Sequence, residues 1–145
     1  PLGAVALACA SLTGSVILIL WSALYGFLAP VGILVARAFG AGDFERVASV
    51  VAHGRWLAVA IGVGSALAMV AMLAVLPAAG QPPEVVAAIG SYWVAMALVM
   101  IPYSMNLVFK QLLDAIDRPW TGVGLMFIAV VVNVPLNFGL IHGLW

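Results

Sequence analysis

Hydrophobic residues in this chain form four long runs that are separated by short polar segments. The runs cover residues 5–39, 47–78, 85–113 and 120–144. Crossing the hydrocarbon core of a bilayer takes about 20 residues of α-helix, so each run is long enough to span a membrane. The alternation of polar and apolar residues that marks membrane β-strands is missing from these runs. The pattern therefore predicts an all-α membrane protein with four transmembrane helices.

The polar segments between the runs contain residues that end one helix and begin the next. In the first segment, Gly40 and Gly42 suit a helix C-terminus, and Asp43 suits the N-cap of the following helix. The segments at residues 80–84 and 114–119 both place proline in the first turn of a helix, where its missing N–H costs nothing. Because the segments are short, we expect consecutive helices to be antiparallel neighbours.

The composition excludes several classes of protein. Hydrophobic residues make up 66% of the chain and charged residues only 7%, whereas soluble domains carry about 25% charged residues. The formal net charge is zero, so the chain lacks a basic stripe for binding nucleic acid. A lone Cys9 cannot form an internal disulfide, and one thiol with two separated histidines predicts no metal site. We expect a protein embedded in a lipid bilayer.

The basic residues predict how the helices are oriented in the membrane. All five flank the first or the third polar segment, and the segment around Gln81 has none. Because cytoplasmic loops carry an excess of positive charge, the first and third segments are predicted to be cytoplasmic. Pro1, Gln81 and Trp145 are then predicted to lie outside. The five basic residues are Arg37, Arg46, Arg55, Lys110 and Arg118.

Three of the runs contain an internal proline, at Pro30, Pro102 and Pro135. Proline has no N–H to donate to the carbonyl four residues earlier, so we predict a helix kink at each position. In hydrocarbon the freed carbonyl needs a partner from a neighbouring helix, a polar side chain or water. The prolines therefore predict either flexing, cavity-lining helices or static kinks that are fixed by packing.

Polar side chains near these prolines are the candidate substrate or ion pathway. Asn133 and Asn137 lie four residues apart, so both carboxamides face the same side of one helix. The pair suits binding of polar or cationic groups, and it equally suits hydrogen bonding between helices. Asn106 follows Pro102, and the ring of Tyr25 could hold an organic cation or simply pack. With no charged residue deep in any run and no nucleophile–base pair, we predict no catalytic residues and no enzyme.

Small residues recur every four positions in two of the runs. Such ladders let the backbones of two helices approach closely in a membrane, although an Ala- and Gly-rich chain produces some of them by chance. One ladder lies in the first run at Gly32, Ala36 and Gly40, and the other lies in the second run at Gly54, Ala58, Gly62 and Ala66.

Four segments of the chain resemble, in order and spacing, the multidrug and toxic compound extrusion (MATE) transporters. Residues 35–43 (VARAFGAGD) resemble the turn after the second helix of that family. Residues 81–85, followed by Tyr92 and Ile101-Pro102, resemble its third-to-fourth helix region. Residues 112–119 (LLDAIDRP) resemble its fourth-to-fifth turn, and residues 133–137 (NVPLN) the end of its fifth helix.

The resemblance implies helices two to five of a twelve-helix antiporter that is built from two six-helix lobes. Such proteins export organic, often cationic, compounds by alternating access in exchange for protons or sodium ions. The expected partners are a small organic substrate, the lipid bilayer, and the first helix, sixth helix and C-terminal lobe of the same polypeptide. The chain starts without methionine and ends after an apolar run, so we expect a piece of a longer polypeptide. The resemblance implies a multi-pass protein of the cell (inner) membrane that uses no cofactor.

The sequence departs from the family's pattern at a few positions. Some members carry a coupling carboxylate where Asn137 stands, so the coupling acid is expected outside this stretch. Ala115 and Asp117 stand where glycines are common. Two alternatives remain open: a lipid-linked saccharide flippase of the same superfamily, which should have several cationic residues in its cavity, and a membrane scaffold subunit, for which three proline-broken helices are unexpected.

Overall fold

The computed structural model describes residues 3–142, with side chains described through Gly139. This part of the chain folds into five α-helices and no strand. Together they form four spans that are long and apolar enough to cross a membrane, which confirms the predicted all-α membrane chain. The helices are α1 (Ala4–Gly40), α2 (Phe44–Met72), α3 (Pro83–Leu98), α4 (Met100–Ala115) and α5 (Pro119–His142).

The third hydrophobic run is one span made of two helices. The helix is interrupted at Val99, three residues before Pro102, and α3 and α4 continue on either side. Pro102 cannot donate to the carbonyl of Leu98, so the regular hydrogen-bond ladder fails at this point. By contrast, α1 and α5 stay helical through Pro30 and Pro135. Of the three predicted kinks, the one at Pro102 accompanies a break in the helix.

The second helix is shorter at its C-terminus than the sequence pattern predicted. We expected helix over residues 47–78, but α2 ends at Met72 and residues 73–80 form consecutive turns. Pro77 lies inside the predicted stretch, has no N–H, and disfavours helical geometry in the residue before it. The expected end of the last helix, at residue 144, lies outside the described residues.

The buried face of α2 is the predicted ladder of small residues. Gly54, Ala58, Gly62 and Ala66 are all buried. A Cβ atom added at Gly62 would lie 3.0 Å from the Ile101 Cα and 3.1 Å from the Met100 carbonyl oxygen, both on α4. The backbones of α2 and α4 therefore touch at Gly62, as expected where small residues let dispersion forces hold membrane helices together.

The ladder predicted in the first run has a different outcome. Gly32 is half-buried and lies against the side chain of Gln111, but Ala36 and Gly40 are exposed. The buried face of α1 instead consists of larger side chains, among them Leu24, Leu28, Val31 and Val35, with Thr13 closer to the N-terminus. Helix α1 therefore packs through side chains rather than through close backbone contact.

Two buried hydrogen bonds join α2 to the two halves of the broken span. The indole N–H of Trp93 in α3 donates to the carbonyl of Met69 at 2.6 Å. The hydroxyl of Ser104 in α4 donates to the carbonyl of Ala58 at 2.8 Å and also lies 2.8 Å from the carbonyl of Ile101. Trp93 and Ser104 are both fully buried. The break at Val99 therefore lies between two points at which the span is attached to α2.

Helix α5 lies at the edge of this bundle. Among the described residues it packs against α4 alone. From residue 119 to residue 139 every residue is exposed except Gly122, which is half-buried, and Gly139, which is buried. A Cβ atom added at Gly122 would lie 3.6 Å from Leu113 Cδ1, so the two helices are close next to the turn that joins them. The polar residues of α5 are therefore open to whatever covers this helix.

Candidate functional site

The two asparagines of α5 lie on one exposed face of the helix, as their spacing predicted. The Asn137 side chain donates a hydrogen bond from Nδ2 to Oδ1 of Asn133 at 2.5 Å. A carboxamide has two donors and one acceptor oxygen, so this bond leaves the Asn133 amide N–H groups and the Asn137 oxygen unused by it. Because Pro135 lies between them, the Val131 carbonyl on the preceding turn also lacks its helical donor. This face presents both donors and acceptors to a ligand.

A cleft of about 400 Å³ separates α4 from α5 and contains Asn106. On the α4 side, Lys110 and Asp114 form an ion pair at 2.6 Å, with the two residues one helical turn apart. On the α5 side, Gly122, Met126 and Ala129 line the wall, at three- and four-residue steps. Asn133 and Asn137 continue these steps beyond Ala129, so they lie on the same face of α5. The cleft therefore leads from the ion pair toward the asparagine pair.

Tyr25 lies at a second cavity, on the other side of α4. This cavity has a volume of about 390 Å³ and lies between α1 and α4. The Tyr25 side chain is half-exposed, and Gln111 and Asp114 form the opposite wall. Asp114 lines both this cavity and the cleft that contains Asn106. Tyr25 and Asn106 thus share Asp114 as a neighbour, whereas the asparagine pair of α5 lines neither cavity.

The structure also contains an aromatic pair that the sequence did not predict. The rings of Trp21 and Tyr103 stack with centroids 4.7 Å apart and an interplanar angle of 17°. Trp21 lines a cavity of about 430 Å³ with Tyr92 and Met96. Its indole nitrogen is buried without a hydrogen-bond partner. Aromatic residues in separate helices gave no sequence signal that they would meet, since their contact depends on how α1 packs against α4.

The turn between α1 and α2 has the geometry that its sequence predicted. Gly42 adopts φ +72°, in the left-handed region that glycine tolerates best. The Asp43 carboxylate accepts a hydrogen bond from the backbone N–H of Arg46 at 2.9 Å and so caps α2. Phe39 and Phe44 meet edge to face across the turn, with ring centroids 6.0 Å apart. Gly40 is the last residue of α1, and the chain reverses in three residues.

The turn between α4 and α5 explains one departure from the resemblance. Asp117 adopts φ 59°, a left-handed backbone conformation that residues other than glycine rarely take. Aspartate is among the residues that tolerate this region best. Aspartate therefore adopts here a left-handed backbone of the kind that glycine takes most easily.

The titratable groups form no metal centre within the described part of the chain. No group of three His, Cys, Asp or Glu residues between residues 3 and 142 could hold a metal ion. Cys9 is buried, and its Sγ lies 3.8 Å from the Val85 carbonyl. The chemistry available at the clefts is therefore hydrogen bonding, ion pairing and aromatic contact.

Comparison with known proteins agrees with this architecture. The MatE family model matches residues 1–138. A probable multidrug resistance protein NorM from Bradyrhizobium diazoefficiens is 31% identical over 144 residues, covering 99% of this chain and 31% of that protein. A protein of the same name from Rhodopseudomonas palustris is 30% identical over 142 residues, covering 98% of this chain and 30% of that protein.

The chain is much shorter than the relatives that it matches. This chain spans about a third of the length of the curated relatives that it matches. No solved structure matches it significantly. The family match extends from the first residue through nearly all of α5, including every helix described above. The chain therefore belongs to the MatE family of multidrug and toxic compound extrusion proteins.

Proposed function

We propose that this chain is part of a secondary active antiporter in the cell (inner) membrane that exports organic, often cationic, compounds. The observation that carries the proposal is the family match over residues 1–138, together with relatives named as probable multidrug resistance proteins. Export proceeds by alternating access, in exchange for protons or sodium ions. No cofactor takes part, because the ion gradient supplies the energy.

The asparagine pair of α5 is the part of the chain that we assign to the substrate or ion pathway. Asn133 and Asn137 are exposed, bonded to each other, and retain donors and acceptors for a ligand. They share a face of α5 with the wall of the cleft that contains Asn106. Tyr25 adds an aromatic face at the neighbouring cavity. A face with these groups suits a polar or cationic molecule that passes through without being held tightly.

The helices that complete this pathway are proposed to lie outside the chain. Aliphatic and aromatic side chains on all sides of α5 are uncovered by α1–α4. In a transporter, lipid covers one side of such a helix, and the first helix, the sixth helix and the C-terminal lobe cover the rest. Helix α5 contains no acidic residue, so the coupling carboxylate is proposed to lie in those other segments.

Efflux by asparagine variants tests this assignment. The protein is expressed from its own gene in cells that lack their own efflux pumps, and the export of ethidium is followed by fluorescence. The double variant Asn133→Ala/Asn137→Ala is expected to lower the export rate about tenfold, since hydrogen bonds to a charged ligand contribute about 1.5–3 kcal/mol.

The matched control is Gln81→Ala, which removes a carboxamide in the turn between α2 and α3. It should export at the wild-type rate. Equal export by the double variant and the wild type, at equal amounts of protein in the membrane, would contradict the assignment. Repeating the measurement with an imposed proton or sodium gradient identifies the coupling ion.

A further inference from the structure

A groove on the exposed side of α2 contains a charged and an aromatic side chain next to each other. The groove has a volume of about 220 Å³ and lies between α2 and α4. Trp56 is 77% exposed and Arg55 is exposed. The remaining wall is apolar and consists of Ala52, Val59 and Met105. The transport proposal does not use this surface.

The guanidinium of Arg55 has no counter-charge in the described part of the chain. Between residues 3 and 139 the only ion pair is the one between Lys110 and Asp114. The residues one turn before and after Arg55 on α2 are alanine and valine. Lys110 is paired with Asp114 on its own helix, whereas Arg55 lines an apolar groove without an ion-pair partner among the described residues.

Arg55 lies about two turns inside the second hydrophobic run, where a long side chain can still reach the headgroups. Helix α2 has 29 residues, so its length of roughly 43 Å exceeds the bilayer's hydrocarbon thickness of about 30 Å. Arg55 is about three turns, or roughly 16 Å, from the start of the helix at Phe44. If the first turn is cytoplasmic, as the basic residues predict, this position is within the cytoplasmic half of the bilayer. Its side chain can reach back toward the headgroups, where an anion would compensate its charge.

We propose that this groove binds an anionic phospholipid of the cytoplasmic leaflet. The Arg55 guanidinium holds the phosphate through paired N–H donors, a geometry that suits this group. The Trp56 indole lines the same groove beside the guanidinium and offers the lipid an apolar ring with a polar N–H. An acyl chain runs along Ala52, Val59 and Met105. The apolar wall favours a lipid over a free phosphate ion, and the cytoplasmic leaflet is the one that carries anionic lipids.

Native mass spectrometry of the detergent-purified protein, expressed from its own gene, tests the proposal. The probes are phosphatidylglycerol and phosphatidylcholine with identical acyl chains. We expect the wild type to retain phosphatidylglycerol preferentially, and Arg55→Gln to retain about fivefold less of it, because one arginine near an anionic surface contributes about 1 kcal/mol. Arg46→Gln is the matched control, since Arg46 is an exposed arginine in the first turn of the same helix, away from the groove.

Several results would overturn the proposal. They are equal retention of the two lipids by the wild type, unchanged retention by Arg55→Gln, and an equal loss in Arg46→Gln. Displacement of the lipid by millimolar inorganic phosphate would assign the site to a soluble anion instead. If Arg55→Gln is not recovered folded, Arg55→Lys replaces it. That variant keeps the charge but loses the paired donors, so it should retain an intermediate amount of phosphatidylglycerol, and wild-type retention would contradict the proposed geometry.

Discussion

The α2–α4 contact and helix α5 show two different uses of an apolar helix. Where α2 meets α4, small residues bring the backbones together and a buried Ser104 hydroxyl bonds across the interface. In α5, large apolar side chains point in all directions, and the two asparagines bond to each other within the same helix. The first region specifies its own partner. The second is left largely uncovered by the other described helices.

The largest expected effect is the loss of close contact at Gly62. Gly62→Ala places a Cβ atom 3.0 Å from the Ile101 Cα, and backbone atoms cannot move aside as a flexible side chain can. We expect a loss of about 1–3 kcal/mol in the free energy of unfolding, measured by denaturation in detergent. Gly64→Ala is the control, because nothing lies within 4 Å of its added Cβ atom. Equal stability of the two variants would contradict the close α2–α4 packing.

A pair of tryptophans compares the bundle with α5 directly. Trp93→Phe removes the hydrogen bond to the Met69 carbonyl and leaves space in the core, so we expect a loss of about 1–2 kcal/mol. Trp120→Phe makes the same change at a side chain of α5 that is 82% exposed. Its free energy of unfolding should lie within about 0.5 kcal/mol of the wild-type value. Denaturation followed by size-exclusion chromatography measures both. A larger loss at Trp120 would reverse the comparison.

Ser104→Ala tests the hydrogen bond that joins α4 to α2. Hydrogen bonds between membrane helices contribute about 0.6 kcal/mol on average and up to about 1.7, so we expect a loss in that range. Ser15→Ala removes a hydroxyl that bonds only to Ser11 within α1 and is exposed. Its unfolding midpoint, measured in the same detergent, should stay at the wild-type value. If both serine variants lose the same stability, the bond across the interface contributes nothing of its own.

The smallest expected effect lies in the turn that connects the bundle to α5. Asp117→Gly relieves a left-handed backbone at φ 59° and should raise the free energy of unfolding by about 0.5–1 kcal/mol. Asp117→Ala keeps the strain without the polar side chain, so it should lower the stability slightly. Thermal unfolding in detergent separates the two. Stabilisation by alanine equal to that by glycine would show that the backbone conformation is not the cause.

Features that depend on local sequence could be predicted, and those that depend on packing could not. The four spans follow from hydrophobic length, the cap at Asp43 from local chemistry, and the buried face of α2 from the four-residue spacing of its small residues. The early end of α2 at Met72 was not predicted, because the hydrophobic run continues to residue 78 and outweighed the signal from Pro77. The Trp21–Tyr103 stack depends on the approach of two helices far apart in sequence, which no local pattern reveals.

The candidate site is divided in the same way. The spacing of Asn133 and Asn137 predicted that they share a face, because helical geometry alone decides it. The positions of Asn106 and Tyr25 on two sides of Asp114 required the packing of α1, α4 and α5. Their assignment to a transport pathway stays a prediction.

The two attachments on either side of Val99 determine which motions this part of the protein favours. Straightening the broken span would detach Trp93 or Ser104 from α2 and leave a buried donor unsatisfied in a medium of low dielectric constant. The two hydrogen bonds therefore restrain the span at this proline-containing break, and we do not expect it to act as a hinge. Helices α2, α3 and α4 are therefore expected to move as one body with α1, which packs against all three. Helix α5, which packs against α4 alone among the described residues, is expected to bend more readily.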